Sequence, residues 1–204
     1  MNRRVYRFFY ALVWPFFNLF HPSRVYGREN IPQGAALLCG NHTRLSDPIY
    51  ILYAMGRKDN PFIMAKAELL RIPILGFLLK KFGVFGVERG KSDVGAIKEA
   101  IRVLRGGDKL LMFPEGTRFK DGETQGAKTG AAMLALRTGV PVVPIWMPAK
   151  KRWFRPTPVV FGAPYFPPQP GQGRPTPEDY HQVADDMLAR IMALEEVPHA
   201  GRSR

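Results

Sequence analysis

The sequence contains little cysteine, and its histidines are not clustered. Cys39 is the single cysteine among 204 residues, which excludes an internal disulfide and is compatible with a reducing cytoplasm. Cys39 ends an apolar run, and no second base is placed to activate it, so we expect a buried strand residue and not a nucleophile. The four histidines are scattered without the spacing of metal ligands, and no metal site is predicted. They are His21, His42, His181 and His199.

Long hydrophobic runs are also lacking. The apolar stretch at residues 8–17 is too short to cross a bilayer, which takes about 20 residues. It follows several arginines, as in a signal peptide, but no small-residue cleavage pattern comes after it, and we expect no signal peptide. Aromatic side chains beside basic ones favour the lipid headgroup region. We predict that residues 1–22 form an amphipathic helix at a membrane interface; the alternative is a helix packed on the core of the protein.

Acidic residues are few, with 17 Asp and Glu against 30 Lys and Arg and a net charge of +13. This charge suits three kinds of partner: nucleic acid, an anionic membrane surface, or acidic small molecules and acidic carrier proteins. No nucleic-acid motif is present and the arginines are spread along the chain, so we do not expect nucleic acid as a partner. The basic and aromatic cluster at residues 150–155 is compatible with any of the three partners and with a solvated loop.

A candidate proton-transfer motif lies between two apolar runs. Residues 41–48 read N-H-T-R-L-S-D-P, and they separate the apolar runs at 35–39 and 49–54. Asp47 can accept the hydrogen of one ring nitrogen of His42, which leaves the other nitrogen to take a proton from a substrate hydroxyl. The spacing therefore predicts an oriented general base. The alternative is a surface histidine among loop and helix-cap residues.

A candidate anion-binding motif follows another predicted strand, at residues 109–112. The next residues, 113–118, read F-P-E-G-T-R. Gly116 allows backbone N–H groups to approach a ligand closely, Thr117 adds a hydroxyl group, and Arg118 adds a planar cation. Such a set is suited to a phosphate group. Because both motifs stand at strand ends, we expect one site that uses both.

The two motifs together resemble the glycerolipid acyltransferase family, specifically the lysophosphatidic acid acyltransferases. Further stretches agree with the family in order: G-V-F-G-V-E-R at 83–89, K-T-G-A-A-M-L-A at 128–135 and V-P-V-V-P-I at 140–145. The first of these ends in Arg89, where the family carries a phosphate-binding arginine. The resemblance covers residues 31–147, which is most of the chain.

The resemblance implies transfer of a fatty acyl group from an acyl-CoA or acyl carrier protein thioester to the sn-2 hydroxyl of lysophosphatidic acid, giving phosphatidic acid in phospholipid biosynthesis. His42 and Asp47 are the implied catalytic residues. No covalent intermediate is expected, because a G-x-S-x-G turn is lacking. The thioester is a co-substrate, and no cofactor is implied. The expected substrate-binding residues are Arg44, Lys66, Arg89, Glu115, Gly116, Thr117 and Arg118.

Two departures from the family pattern concern the acceptor. Arg44 stands where the family usually has serine, and it can add a phosphate contact; Glu88 is not the commonest residue before the arginine of its motif. Other acceptors, such as glycerol 3-phosphate or another lyso-lipid, remain alternatives, as does a non-catalytic membrane-surface protein. The expected partners are an anionic membrane surface, a lysophospholipid and acyl-CoA or acyl carrier protein. The expected location is the cytoplasmic face of the cell membrane, peripheral or monotopic.

Strands that alternate with helices predict an α/β fold, a single domain with a mixed β-sheet flanked by helices and an N-terminal interface helix. We expect the domain to cover residues 23–165, and residues 166–204 to hold a proline-rich segment and a C-terminal helix that packs on it. Residues 70–82 are strongly apolar, as in a pair of core helices or a wall for an acyl chain. The predicted strands are 24–27, 36–39, 62–65, 84–87, 109–112, 142–147 and 158–161, and the predicted helices include 48–55, 92–104 and 126–138.

Overall fold

The described part of the chain forms seven strands and six α-helices that largely alternate. The structure is a computed structural model that describes residues 3–88, 93–115, 128–169, 171 and 173–198. In chain order the elements are α1 Arg3–Phe20, β1 Ser23–Tyr26, β2 Ala36–Gly40, α2 Asp47–Met55, β3 Phe62–Lys66, α3 Leu75–Lys81, β4 Val84–Val87, α4 Val94–Arg105, β5 Lys109–Met112, α5 Gly130–Thr138, β6 Val142–Trp146, β7 Thr157–Phe161 and α6 Pro177–Ala193.

The strands form one mixed sheet in the order β1-β7-β6-β2-β5-β3-β4. The five strands from β6 to β4 in that order are parallel, while β7 runs antiparallel to β6 and β1 runs parallel to β7. The carboxyl ends of the five parallel strands therefore meet at one edge. The starts of β1 and β7 reach the same edge, because these two strands run the other way. The predicted α/β fold with a mixed sheet is confirmed.

The central strands are buried because helices cover both faces of the sheet. Leu37 and Leu110 point into a core shared with α4, α5 and α6, whereas Leu38 and Leu111 point into a second core shared with α2 and with Phe17 of α1. Burial on both faces explains why β2 and β5 read as continuous apolar runs and do not alternate with polar residues.

The last helix, α6, begins at a capping box. The Thr176 hydroxyl accepts the N–H of Asp179, and the Asp179 carboxylate accepts the N–H of Thr176. Pro177 fits the first turn, because a residue there needs no N–H donor. Four buried side chains then pack α6 into the core shared with α4 and α5: Val183, Ala184, Met187 and Ile191.

The N-terminal helix, α1, packs one side on the protein and exposes the rest. Its contacts include Tyr10, whose hydroxyl donates to the backbone oxygen of Tyr53 over 3.1 Å, and Phe17, which stacks on the same tyrosine. The described part of the chain contains no helix long and apolar enough to cross a membrane. The exposed large apolar side chains of α1, which are 39–64% exposed, are Phe8, Leu12, Val13, Trp14, Phe16, Leu19 and Phe20.

Residues 70–82 do not form a pair of core helices, and that alternative is wrong. A 3₁₀ turn over Ala67–Arg71 leads into the short helix α3. Leu79 and Phe82 pack on the core, but Ile74 is 78% exposed and Phe77 is 63% exposed. The segment therefore presents apolar surface to the outside. An acyl-chain contact there stays a prediction.

Candidate active site

The loop that follows β2 is tied to the neighbouring strands by hydrogen bonds. The side-chain amide of Asn41 donates to the backbone oxygen of Met147 over 2.7 Å, and the backbone N–H of Met147 donates back to the Asn41 amide oxygen over 2.9 Å. The backbone N–H of His42 donates to Oε2 of Glu115 over 3.0 Å. The carboxyl end of β2 is thus fixed to the residues that follow β6 and β5, and both contacts set the position of His42.

The imidazole ring of His42 lies between an aromatic ring and a carboxylate. Its Nδ1 is 3.1 Å from Oδ2 of Asp47, and the ring stacks on Phe113 with centroids 4.2 Å apart. A carboxylate at Nδ1 favours the tautomer with hydrogen on that atom, which leaves Nε2 as a proton acceptor. The pairing that the sequence predicts is therefore formed. Its catalytic role stays a prediction.

Asp47 is fully buried and surrounded by hydrogen-bond donors. Its Oδ2 accepts the backbone N–H groups of Thr43 over 2.6 Å and Arg44 over 2.7 Å, in the turn that leads into α2. Its Oδ1 is 2.7 Å from Nζ of Lys151. Burial alone would raise the pKa of Asp47, but the hydrogen bond from His42, the charge of Lys151 and the backbone donors outweigh it and lower the pKa below its ordinary value. Asp47 is therefore ionised at neutral pH.

Lys151 is the residue of this site that the sequence does not reveal. Its side chain is 4% exposed, and Nζ donates to Oγ1 of Thr43 over 3.1 Å and to the backbone oxygen of Pro148 over 2.9 Å. Burial lowers the pKa of Lys151, and the charge of Asp47 counteracts that shift. In the sequence, Lys151 is one of several basic residues of the 150–155 cluster, and the sequence of this cluster does not show which basic side chain is buried. The available signal is that the cluster follows a buried strand, β6.

Glu115 follows β5 and is 1% exposed. Its Oε2 accepts the His42 N–H, whereas Oε1 has no hydrogen-bond partner among the described residues. Burial raises the pKa of Glu115 to about 7; the hydrogen bond from His42 opposes this shift and the charge of Asp47 adds to it. Glu115 therefore supports the backbone of the His42 loop. Its predicted contact with substrate stays a prediction.

Two of the predicted substrate-binding cations lie at the same edge of the sheet. Arg44 is exposed, and its Nε donates to the backbone oxygen of Ala149 over 3.1 Å. Lys66 ends β3, and its half-exposed ammonium lies 3.1 Å from the carboxylate of Glu68. Both cations are thus accessible from outside. The other predicted substrate-binding residues lie outside the described residues: Arg89, Gly116, Thr117 and Arg118.

Cys39 lies inside β2 and is fully buried. Burial raises the pKa of its thiol to about 12, so that the thiol stays protonated at neutral pH. Only a thiolate is an effective nucleophile. The expectation of a buried strand residue is confirmed.

The fold and the site define a class of protein: an α/β domain with a histidine–aspartate pair at the carboxyl edge of a central sheet. Ligands of open α/β sheets bind at this edge. An imidazole held by a buried, ionised carboxylate is suited to removing a proton from a hydroxyl group.

Comparisons with known proteins identify the family. The acyltransferase family model matches residues 22–148, and the chain belongs to this family. A solved structure, that of the 1-acyl-sn-glycerophosphate (LPA) acyltransferase PlsC from Thermotoga maritima, is similar with a TM-score of 0.66 and 25% identity. The match covers 99% of this chain and 80% of that one. The resemblance predicted from the motifs is therefore confirmed.

Two curated relatives carry the same kind of name. A 1-acyl-sn-glycerol-3-phosphate acyltransferase from Borreliella burgdorferi is 39% identical over 125 residues, which are 59% of this chain and 49% of that protein. The chloroplastic 1-acyl-sn-glycerol-3-phosphate acyltransferase LPAT1 from Arabidopsis thaliana is 36% identical over 149 residues, which are 70% of this chain and 41% of that protein. The chain thus spans about half or less of the length of these relatives.

Proposed function

We propose that this protein transfers a fatty acyl group from the thioester of acyl-CoA or acyl carrier protein to the sn-2 hydroxyl of lysophosphatidic acid, giving phosphatidic acid for phospholipid biosynthesis. The observation that carries the proposal is the His42–Asp47 pair, 3.1 Å apart, in a chain of the acyltransferase family. The names of the relatives support the choice of acceptor. The acyl thioester is the co-substrate, and the proposed reaction uses no cofactor or metal.

In the proposed reaction, the acceptor hydroxyl gives its proton to Nε2 of His42 while its oxygen attacks the thioester carbonyl carbon. Asp47 keeps the ring hydrogen on Nδ1 and stabilises the imidazolium that forms. The carbon–sulfur bond then breaks, and the imidazolium returns the proton to the leaving thiolate. Attack is direct, with donor and acceptor bound together. The products are the acylated acceptor and the free thiol.

We further propose that basic residues at this edge bind the acceptor phosphate and so position its hydroxyl group. Arg44 and Lys66 support this, because both are exposed at the edge where His42 lies. An arginine side chain can bind two phosphate oxygens at once, which fixes orientation as well as position. The remaining proposed phosphate ligands come from the family motifs: Arg89, Gly116, Thr117 and Arg118.

We propose an anionic membrane surface, at the cytoplasmic face of the cell membrane, as the place of action. The exposed apolar side of α1 supports a peripheral or monotopic attachment. Trp153 and Phe154, which are 65% and 61% exposed, extend this surface. The ring of Phe154 lies 5.4 Å from that of Phe20, at the end of α1. The apolar surface therefore adjoins the loop that carries Lys151, and an acyl chain could reach the site from the membrane.

The reaction is tested by comparing wild type with His42→Ala and, as a control, with His181→Ala on the exposed side of α6. Each protein receives labelled acyl-CoA or acyl carrier protein and lysophosphatidic acid, glycerol 3-phosphate or another lyso-lipid. We expect product from wild type and control with lysophosphatidic acid, and roughly a hundredfold less from His42→Ala. No product with this acceptor, while another is acylated, would replace the proposed acceptor. Equal activity of His42→Ala would exclude the general base.

The membrane proposal is tested by co-sedimentation with vesicles of anionic or neutral lipid. The double substitution Phe8→Ser and Phe16→Ser removes two exposed rings of α1, and Phe166→Ser removes a ring of similar exposure outside α1. We expect anionic vesicles to retain wild type and Phe166→Ser, and to lose most of the double variant, because the apolar area available for burial is smaller. Equal retention of all three would contradict the proposal.

A further inference from the structure

We propose that Lys151 is a positioning residue of the His42–Asp47 pair: it fixes the Asp47 carboxylate and offsets its charge, so that the His42 ring remains a proton acceptor. The expected effect on kcat rests on the proposed acyl transfer, whereas the expected electrostatic effect on the His42 ring does not. Lys151 lies outside the histidine motif and reaches it only because β6 lies beside β2.

The ion pair assigns Lys151 to one particular oxygen of Asp47. Oδ2 accepts hydrogen bonds from Nδ1 of His42 and from two backbone N–H groups. Oδ1 is fully buried and accepts no hydrogen bond from the described residues, but the ammonium of Lys151 lies 2.7 Å from it as an ion pair. If the ammonium were absent, Oδ1 would be a buried charge without a counter-ion, and the carboxylate would be held by the donors at Oδ2 alone. Lys151 at Oδ1 and the backbone donors at Oδ2 together hold the carboxylate with Oδ2 toward the imidazole.

The Lys151 ammonium is buried among oxygen atoms of the protein and is not presented to a substrate. Its ammonium donates hydrogen bonds to Thr43 Oγ1 and to the backbone oxygen of Pro148, and it forms an ion pair with Asp47 Oδ1. Its side chain is 4% exposed, and its ammonium also lies 5.9 Å from the ring centroid of Tyr50. The residue therefore acts through Asp47 and does not touch the reacting molecules.

The charges around the pair explain why a cation is needed. Glu115 faces the His42–Asp47 pair from the end of β5, and Arg44 lies in the same loop as the pair. Tyr50 of α2 forms a 3.1 Å hydrogen bond with His21, which follows α1. Among the described residues, Lys151 supplies the ammonium in ion-pair contact with Asp47. Without the Lys151 ammonium, the negative charge of Asp47 would act on the imidazole without a compensating positive charge. That negative charge favours the imidazolium form, which cannot accept a proton.

The test compares Lys151→Met with wild type, with Lys151→Arg, which keeps the charge, and with Lys98→Met, which removes an exposed lysine of α4. We expect Lys151→Met to lower kcat about tenfold at neutral pH and to move the acid limb of the pH–rate profile upward by about one pH unit, with KM little changed. Lys151→Arg keeps the positive charge, so its pH–rate profile should have the same acid limb as wild type. Its kcat can still fall, because a guanidinium group differs in shape from an ammonium group. Lys98→Met should resemble wild type.

A second measurement does not depend on the reaction. The imidazole NMR signals of His42, assigned with His42→Gln, are followed against pH in the same proteins. We expect their midpoint to move upward by about one pH unit in Lys151→Met and not in Lys98→Met. If Lys151→Met does not fold, Lys151→Gln removes the charge while keeping an amide donor, and the same displacement is expected.

The outcomes separate the two proposals. A displaced NMR midpoint without any product from wild type would reject the proposed reaction and support the electrostatic role of Lys151. Product from wild type with an unchanged profile and midpoint in both neutral variants would overturn the role of Lys151 and leave the reaction standing. A higher KM with an unchanged acid limb would instead make Lys151 a substrate contact and overturn the inference.

Discussion

Replacing Glu115 by glutamine separates the charge of this buried carboxyl group from its shape. Glutamine has nearly the same size and keeps an acceptor oxygen for the N–H of His42, but it cannot ionise. Glu115 is 1% exposed, one of its oxygens lacks a partner among the described residues, and it faces the charge of Asp47. An ionised Glu115 therefore destabilises the folded state, and we expect Glu115→Gln to be more stable than wild type at mildly alkaline pH.

The magnitude follows from the pKa of Glu115, which burial raises from 4.5 to about 7. Each pKa unit corresponds to about 1.4 kcal/mol, so ionisation costs the folded state at most about 3.5 kcal/mol. Between these two pH values the folded protein retains a proton that the unfolded chain has released. The free energy of unfolding of wild type, measured relative to the variant, is therefore highest below pH 4.5, falls as the pH rises toward 7 and stays low above it.

The assay is urea unfolding of wild type and Glu115→Gln from about pH 5 to about pH 8, with the slope of free energy against urea compared at each pH. Glu195→Gln, at an exposed position after α6, is the control for loss of a negative charge. Subtracting the variant from wild type cancels the other titrating groups. A difference that stays constant within about 0.5 kcal/mol across this range would refute the assignment of a buried, poorly compensated carboxyl group.

Three further predictions concern stability, and urea unfolding checks each. Asn41→Ala should lower the free energy of unfolding by about 2–4 kcal/mol, because it leaves both backbone groups of Met147 without partners. A decrease of less than about 1 kcal/mol would mean that water replaces the side-chain amide. Thr176→Ala should cost about 1 kcal/mol through loss of the helix cap, whereas Thr176→Ser should be nearly neutral. Gly27→Ala should cost more than about 2 kcal/mol, since φ is 68° and the new methyl group would overlap the backbone oxygen of Phe161; wild-type stability would contradict the left-handed conformation.

Most of the sheet could be predicted because its signals are local. The strands predicted at 84–87 and 109–112 have the observed bounds, since each is an apolar run with a glycine or charged residue at its limits. The helix predicted from 92 begins at Val94, where Asp93 accepts the N–H of Ala96. Several residues in that region can cap a helix, and the residue that does so depends on where the preceding strand leaves the sheet.

The His42–Asp47 pair could be predicted because both residues belong to one short loop. They are five positions apart, so the turn that starts α2 brings them together without help from distant elements. The other groups of the site come from far along the chain. Glu115 reaches His42 across 73 residues, and Met147 reaches Asn41 across 106. Such contacts depend on strand order, and apolar runs look alike whichever neighbours they pair with.

The sequence by itself determined the α/β class, the histidine–aspartate motif and the family, because these depend on residue type and on short spacings. Only the tertiary structure decided that β6 lies beside β2, and hence that Lys151 turns inward to Asp47 while its neighbours in the 150–155 cluster stay exposed. The physical reason is desolvation. A lysine is solvated in any local segment, and only the packing of distant strands can bury its ammonium against a carboxylate that compensates the charge.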